Sequence, residues 1–408
     1  MIDLAIIGGG ASGLMAACAA KRARPEAHVV LFERQPRVGK KLLITGNGRC
    51  NLSNRVIERA HYHGGGADEV PAVLVRFGIS DAIAFFEGLG LLITEGEQCR
   101  LYPRSLQAGS VLDALRLCCD RLGVLTRTDS EITALHPDEP GFILTAGEEQ
   151  IRARRVIVAA GGRAGPDVGG TDIGYALLSA LGHSVTPLVP ALAPIKTDPT
   201  HIKPLTGIKV EARLSLVRTA SKAGMANLVA HADGEVLFTN TGISGPPAFA
   251  LCRQLTDGDQ LVIDLMPDYA PERLLHLLRE RARRLPPAPT SAFLQGALNK
   301  RLGETVMKRA LGVGSRTTDH LTDAELVAVR DTIKGFVLTN PMPASFRHAQ
   351  VTAGGITAAE FDFTRMASRL HDGLFACGEV LDVDGDCGGY NLQWAWSSGV
   401  VAGMAAVE

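Results

Sequence analysis

At 408 residues the chain exceeds what one hydrophobic core usually supports, so two or three domains are expected. Its composition, 46% hydrophobic and 21% charged, is that of an ordinary globular protein. A net charge of −1 without a Lys/Arg-rich block argues against nucleic-acid and anionic-membrane partners, and no run of about 18 apolar residues is present to span a bilayer.

Residues 1–35 read as strand, glycine turn, helix and strand. Residues 4–7 form a continuous apolar run, as a strand buried on both faces requires. Residues 11–24 are rich in helix formers, and 28–33 are a second apolar strand. The N-terminus lacks the basic region and the length of a signal peptide, so a cytoplasmic location is expected. Within this unit lies Gly8-Gly-Gly10-Ala-Ser-Gly13, a G-x-G-x-x-G fingerprint, and Glu33 closes the next strand 20 residues past Gly13. Gly8 permits the tight turn, Gly10 the close approach of a pyrophosphate, and Gly13 the packing of helix on strand. The phosphates would rest on the unpaired N–H groups of Ala11 and Ser12 at the positive end of the helix. The Glu33 carboxylate suits a ribose diol and disfavours a 2′-phosphate.

Arg34 follows, and residues 36–66 are a Gly/Lys/Asn-rich excursion carrying Gly39, Lys40, Lys41, Arg49, Cys50 and Asn51. Cations beside glycines in such a loop point to phosphate or flavin contact. Cys50 reads either as a flavin neighbour or redox thiol, or as a structural loop cysteine. His61-x-His63 has no accompanying ligand cluster, which favours a solvated loop over a metal site. Helical patterns follow at 80–90 and 109–122. The second holds the vicinal pair Cys118 and Cys119, read as core packing. The eight cysteines form no Cys-x-x-Cys or Cys-x4-Cys, which removes the zinc-ribbon and dithiol-reductase readings and leaves reduced thiols as the expectation.

Three β-like runs come next, at 131–135, 141–145 and 151–159. The first supplies Ile132 to the expected cofactor surface. The last continues as Val156-Ile-Val-Ala-Ala-Gly-Gly162 and should carry Ala160, Gly161 and Gly162 past the nucleotide. Prolines at 187, 190, 194, 199 and 204 mark a crossing between domains. β alternation at 208–218 and 228–240 and a strand-like run at 260–265 precede a mostly helical segment at 271–336. From about 346 strands and glycines return.

Three features select FAD over NAD: Gly39 six residues past Glu33, the glycine-ended strand at 156–162, and Gly373-Leu-Phe-Ala-Cys-Gly-Glu379. The last resembles the flavoprotein segment whose acidic residue binds the ribityl chain, which assigns Gly378 and Glu379. Gly388-Gly-Tyr-Asn391 then leads into a helix with Asn391 as the expected N-cap. That would leave the N–H groups of Leu392 and Gln393 facing the ring, where reduced flavin carries negative charge. Asp382-x-Asp384-x-Asp386 imitates the start of an EF-hand, but Cys387 and Gln393 stand where Gly and Glu are needed, so no metal is expected.

From Gly8 to its end the chain resembles the BaiN-like (YhiN-like) family of bacterial flavoproteins. Lys41-Leu-Leu-Ile-Thr-Gly-Asn-Gly-Arg-Cys-Asn-Leu-Ser-Asn54, Leu237-Phe-Thr-Asn-Thr-Gly-Ile-Ser-Gly-Pro246 and Gly378-Glu-Val-Leu-Asp-Val-Asp-Gly-Asp-Cys-Gly-Gly-Tyr-Asn-Leu-Gln-Trp-Ala-Trp-Ser-Ser-Gly399 carry the resemblance. It implies an FAD domain interrupted by an insertion with a β part and a helical part, and one branch is linked to reductive steps in bile-acid metabolism. The chain departs from the family at Asn240, where many members have His; Asn cannot cycle protons near neutral pH.

The expected fold is therefore α/β: a Rossmann-like, two-part FAD-binding domain from 1–187 and 345–408, a β-rich insert from 188–270 and 337–344, and a helical insert at 271–336. The expected function is a flavin-dependent reductase or dehydrogenase of a small, unsaturated or polycyclic molecule, with non-covalent FAD. NAD(P)H enters as a transient co-substrate, because only one dinucleotide fingerprint is present. A flavin-bound redox sensor and an RNA-modifying flavoprotein are the alternatives. Cys50, Asp384 and Tyr390 are catalytic candidates by position alone. Nothing in the sequence indicates the oligomeric state.

Overall fold

The apolar runs of the N-terminal third become parallel strands of one sheet. A computed structural model of the chain describes every residue except 201, 220–225 and 313–315, so 313–315 of the expected helical segment lie outside the described residues. Two units are present, Met1–Pro190 with Phe346–Glu408, and Ala191–Ser345.

In the first unit, Ile2–Ile7 lies between Val29–Phe32 and the end of Glu149–Val158, parallel to both. Leu125–Arg127 extends the sheet beyond Val29–Phe32, and Leu374–Ala376 adds a parallel strand beside Val156, Ile157 and Val158. Leu4 to Ile7, Val29 to Phe32 and Val156 to Val158 are all buried, which is why these strands read as unbroken apolar runs. The hairpin Ile132–Asp138 and Gly141–Ala146 joins antiparallel to the first half of Glu149–Val158. This α/β arrangement, with a parallel Rossmann-like core and a strand returning from the C-terminal segment, is the fold class expected.

The helix Ala11–Ala23 follows the first strand, and Tyr390–Ala405 packs along it. Their contact is backbone on backbone: a Cβ at Gly399 would lie 2.5 Å from the Ser12 carbonyl oxygen, and one at Gly403 would lie 2.2 Å from that of Ala16. The four-residue spacing places both glycines on one helix face. The 36–66 excursion holds only short pieces, among them Ser53–Asn54, which pairs with Arg100–Pro103. A short helix at Val70–Arg76, starting with Pro71 in its first turn, went unread because seven residues show too little periodicity.

The second unit is built on a seven-stranded sheet in the order Phe336–Leu338, Gln260–Asp264, Lys209–Thr219, Ala226–Phe238, Gly242–Ser244, Ile195–Lys196 and Met342–Pro343. Leu214, Leu216, Val236, Phe238, Leu261 and Ile263 are buried on it. The helices Pro271–Arg284, Lys300–Leu311 and Asp323–Lys334 belong to the same unit. Thr322 and Glu325 form a capping box at the last of these. Asn240 is exposed at the turn between two strands. No helix among the described residues is long and apolar enough to cross a membrane.

The tightest local contact lies where the first helix meets the first strand. A Cβ at Gly13 would lie 1.9 Å from the Gly8 carbonyl oxygen, whereas one at Gly10 would meet no described heavy atom within 4 Å. Gly13→Ala should therefore destabilise the protein by about 3 kcal/mol or more in urea unfolding, and Gly10→Ala by less than about 1 kcal/mol. Equal losses for the two variants would contradict this packing.

Candidate functional site

The glycine turn is shaped by three backbone requirements. Gly8 has φ +110°, and a Cβ there would lie 2.4 Å from the Ala159 carbonyl oxygen, so only glycine can make the turn. The Gly9 N–H donates to Glu33 Oε2 at 2.9 Å and the Gln35 N–H donates to Oε1 at 2.8 Å. A carboxylate so held keeps lone pairs for another donor. The Gly39 N–H donates to the Gly9 carbonyl at 2.8 Å, so the prolonged fingerprint is one hydrogen-bonded loop.

Above this loop the space is open at Gly10 and also at Gly161, where a Cβ likewise meets no described heavy atom within 4 Å. The helix Ala11–Ala23 starts at Gly10 without a side-chain cap and without an acidic residue in its first turn. Its first intrahelical bond runs from the Leu14 N–H to the Gly10 carbonyl, leaving the N–H groups of Ala11, Ser12 and Gly13 without acceptors in the helix. Open space, free donors and a positive helix end make a cradle for an anion.

A second group closes one side. Lys41 Nζ donates to Glu379 Oε2 at 2.8 Å, and the Thr352 N–H donates to Glu379 Oε1 at 2.8 Å. A Cβ at Gly162 would lie 2.6 Å from both Glu379 Oε1 and Thr352 Oγ1, and one at Gly378 would lie 2.5 Å from Ser12 Oγ. Ser12, Lys41, Gly162, Gly378 and Glu379 thus converge from four separate segments. Thr352 belongs with them and was missed. Its signal was Val351-Thr-Ala-Gly-Gly355, another short apolar run ending in glycines.

The last helix differs from expectation. It begins at Tyr390, and its N-cap is Gly389 in a left-handed conformation, with no side-chain cap. Asn391 is not the cap: its Oδ1 accepts from the Gly385 N–H at 2.8 Å and its Nδ2 donates to the Gly385 carbonyl at 2.7 Å, fastening the preceding loop. Gln393 does not face outward either. It is fully buried, accepting from Ser53 Oγ at 2.7 Å and donating to Ser397 Oγ at 2.9 Å, while its N–H bonds the Gly389 carbonyl. The first-turn N–H groups of Tyr390, Asn391 and Leu392 are the donors that precede the intrahelical ladder. The positive φ that glycine allows moved the helix N-cap back by two residues, from Asn391 to Gly389.

Beside that helix start, Asn51 Oδ1 is buried with no hydrogen-bond partner among the described residues. It lies 2.9 Å from where a Cβ of Gly389 would be. Arg100 Nε is likewise buried without a partner. Cys50 is wholly buried and its thiol is pushed up to about 12 by that burial, which disfavours the thiolate there. Asp384 is buried in a two-residue strand paired with Tyr62–His63. Tyr390 stacks on His61 with ring centroids 4.2 Å apart, and burial raises its hydroxyl above the usual range, with Asp386 adding to the effect.

The remaining sequence-derived candidates spread around this centre. Arg34 Nη2 donates to the Gly170 carbonyl at 3.1 Å, and Lys40 Nζ reaches Gln35 Oε1 at 3.5 Å. Arg49 is exposed, donates to the Gly46 carbonyl at 3.2 Å and lies over the Tyr102 ring at 5.1 Å. Ile132 is buried in the hairpin, and Ala160 is half-buried where the strand Glu149–Val158 has ended. The carboxylates of the 382–386 run diverge: Asp382 accepts from the Gly65 N–H at 3.0 Å, and Asp386 pairs with His63 Nε2 at 2.8 Å.

A parallel sheet with an anion cradle at its first glycine turn defines a Rossmann-type nucleotide-binding protein. The chain matches the family described as HI0933-like protein Rossmann domain over residues 2–405, and it belongs to that family. It is 35% identical over 414 residues to the 3-dehydro-bile acid delta(4,6)-reductase of Clostridium scindens, covering 100% of both chains. It is 29% identical to the ribosomal RNA dihydrouridine synthase of Haemophilus influenzae, covering 98% of this chain and 97% of that one. Among solved structures it is similar to E. coli quinol fumarate reductase FrdA, with a TM-score of 0.50 at 18% identity, covering 100% of this chain and 70% of that one. That likeness supports the fold.

If the cradle takes the pyrophosphate of FAD, a Gly10→Val side chain would fill it, and the purified variant should contain no flavin while remaining folded by circular dichroism. Glu33→Ala should weaken FAD binding to apo-protein by about 1.5–3 kcal/mol, the scale of a hydrogen bond to a charged group. Unchanged affinity in the titration would remove Glu33 from the ribose.

Proposed function

We propose that the protein is an FAD-dependent oxidoreductase that adds a hydride to a carbon–carbon double bond conjugated with a carbonyl group in a small organic molecule. The cofactor assignment is carried by the open space at Gly10 bounded by uncapped helix N–H groups. Asn51 Oδ1 and the first-turn N–H groups of the last helix add an unpartnered acceptor beside free donors, which suits the amide-like edge of an isoalloxazine ring. When bound, FAD supplies hydride chemistry; the chain supplies position, water exclusion and a field at the ring. NAD(P)H is the proposed electron donor, binding transiently. A reducing cytoplasm is the proposed location, in keeping with eight free cysteines.

The choice of reaction draws on the relatives. One is named for reducing delta(4,6) double bonds of a 3-dehydro-bile acid, the other for making dihydrouridine. In both substrates the double bond is conjugated with a carbonyl, so its distal carbon is electrophilic and accepts hydride, while a proton must reach the neighbouring carbon. Tyr390 is the sequence candidate we assign as proton donor, because it opens the last helix and its ring is held by stacking on His61 at 4.2 Å.

A second reading, action on ribosomal RNA, is favoured by charge. Residues 271–336 hold 12 Lys/Arg against 7 Asp/Glu, so a basic segment is concealed within the net charge of −1. The helix Pro271–Arg284 alone carries Arg273, Arg279, Arg281, Arg283 and Arg284, which corrects the expectation that no basic block exists.

Acid precipitation of the purified protein should release FAD; a protein that is colourless and cannot be reconstituted, or that releases FMN, sinks the proposal. After anaerobic reduction with NADH or NADPH, a conjugated enone such as a 3-oxo-Δ4 steroid should reoxidise the flavin and gain two hydrogens by mass spectrometry. Reoxidation by unmodified ribosomal RNA alone, suppressed by salt, would establish the second reading instead. Tyr390→Phe should retain FAD but lower turnover by roughly 10²-fold, the lower range for loss of a general acid.

A further inference from the structure

Three thiols outside the cofactor cradle meet where the helix Ala11–Ala23 packs against Ala108–Arg121. Cys18 Sγ lies 3.5 Å from Cys119 Sγ, and the Cys119 thiol is directed at the Leu14 carbonyl, 3.7 Å away. Cys118, next along the same helix, lines a cavity of about 200 Å³ together with Arg22, Leu89, Ala114, Leu117 and Arg121. Arg22 Nη2 approaches Cys118 Sγ to 3.9 Å, and the same guanidinium is held over the Phe85 ring at 4.4 Å.

Simple core packing accounts for three buried cysteines, but it does not call for two guanidinium groups beside one of them. Apolar burial makes a thiol inert, whereas flanking cations and a donated hydrogen bond make it a thiolate. Here the Cys118 thiol is held below its ordinary range, first by the hydrogen bond from Cys18 and then by Arg22 and Arg121, while Cys18 is pushed up by the same contact, by Cys119 and by burial.

We propose that Cys18, Cys118 and Cys119 form a redox-modification site, in which a hydroperoxide entering the cavity oxidises Cys118 and Cys18 resolves the product to a disulfide. The Cys118 thiolate attacks one peroxide oxygen; the S–O bond forms, the O–O bond breaks, and the departing oxygen takes a proton from solvent. Cys18 sulfur then attacks the sulfenic sulfur; the S–S bond forms, and the hydroxyl leaves with the Cys18 proton as water. Two thiols lose two electrons in all, and the hydroperoxide gains them. A disulfide needs sulfurs about 2.05 Å apart. Cys18 shares a thiol hydrogen bond with Cys118 and lies 3.5 Å from Cys119, so the resolving sulfur already faces both thiols of the neighbouring helix. Cys119 serves as the thiol that holds Cys18 in place. The product would tie the helix that starts at the glycine turn to Ala108–Arg121. This site is independent of the cofactor and substrate readings.

The test exposes the full-length protein, as purified, to a small excess of hydrogen peroxide, followed by thiol counting in denaturant, intact mass and peptide mapping. Wild type should fall from eight thiols to six, lose two mass units and show one crosslink joining the Cys18 and Cys118 peptides. Cys118→Ser should keep all its remaining thiols at the same dose. Cys18→Ser should stop at a sulfenic acid that dimedone traps on Cys118. Arg22→Gln, a change at an exposed side chain, leaves the thiols in place and should slow oxidation at least about tenfold. Eight thiols in treated wild type, a crosslink elsewhere such as Cys99 to Cys387, or an Arg22→Gln variant reacting at the wild-type rate would each overturn the proposal. Thermal melts of every variant separate these outcomes from misfolding.

Discussion

The placement of one helix against backbone, rather than against side chains, governs the rest of the first unit. Ala11–Ala23 touches the Gly8 carbonyl through Gly13, and its own carbonyls at Ser12 and Ala16 are touched by Gly399 and Gly403. Contacts of this kind leave no rotamer to adjust, so the position of the helix start is defined to within a few tenths of an ångström. An anion cradle depends on just that, since its donors are main-chain N–H groups with no freedom of their own. Segments 387 residues apart, Ser12 with Gly399 and Ala16 with Gly403, are therefore joined for a mechanical reason: the C-terminal helix braces the axis on which the N-terminal donors are mounted.

The same C-terminal segment folds the glycine-rich excursion that follows the second strand. Trp396 Nε1 donates to the Leu52 carbonyl at 2.9 Å, Ser53 Oγ to Gln393 Oε1 at 2.7 Å, Asn54 Nδ2 to the Gly388 carbonyl at 3.0 Å, and Tyr62 hydroxyl to the Tyr390 carbonyl at 3.2 Å. Each contributes only about 1 kcal/mol net, but breaking one strands a buried partner, which costs more. Trp394 Nε1 and Ser398 Oγ in turn hold the Gly378 carbonyl and N–H. The loop at 41–54, the turn at 378–379 and the last helix thus form one connected polar network, and the site cannot assemble piecemeal.

This explains what could be read from the chain and what could not. The strands, the fingerprint and the fold class were legible because they depend on local patterns: apolar runs of set length and glycines at fixed offsets. The roles of Gly8 and Gly13 followed from their spacing, and the contacts at Ala159 and Gly8 are the steric reasons. Side-chain direction was not legible. Asn391 looks like a cap in one dimension, but Gly389 reaches a left-handed φ that starts the helix earlier and turns Asn391 onto the loop. Gln393 reads as turning its N–H toward the ring, yet that N–H bonds the Gly389 carbonyl and Ser53, 340 residues away, satisfies the side chain inside the core. The run at 351–355 hints at a turn but not at Thr352, whose role is set by a carboxylate 27 residues further on. Charge was misread for a related reason: whole-chain balance averages away a basic segment.

Buried polar atoms left without partners are rare in folded proteins, and their location carries information. In the first unit, Asn51 Oδ1, Arg100 Nε and Tyr175 Oη are such atoms; the first two belong to the surroundings of the last helix start, Asn51 beside Gly389 and Arg100 close enough to Tyr390 and Cys387 to influence their hydroxyl and thiol, and Tyr175 is near enough to Glu379 to feel its charge. Along the last helix itself Gln393, Trp394, Ser397 and Ser398 are all satisfied. The desolvation cost of an unpaired amide oxygen, about 1–3 kcal/mol, is tolerable where binding recovers it. Donors on the helix start, an orphaned acceptor opposite and an open cradle at the glycine turn together describe a ligand with an anionic middle and an amide-like end. That pattern belongs to a flavin dinucleotide, and it distinguishes this site from a phosphate site alone, which would need the donors but would have no use for the acceptor.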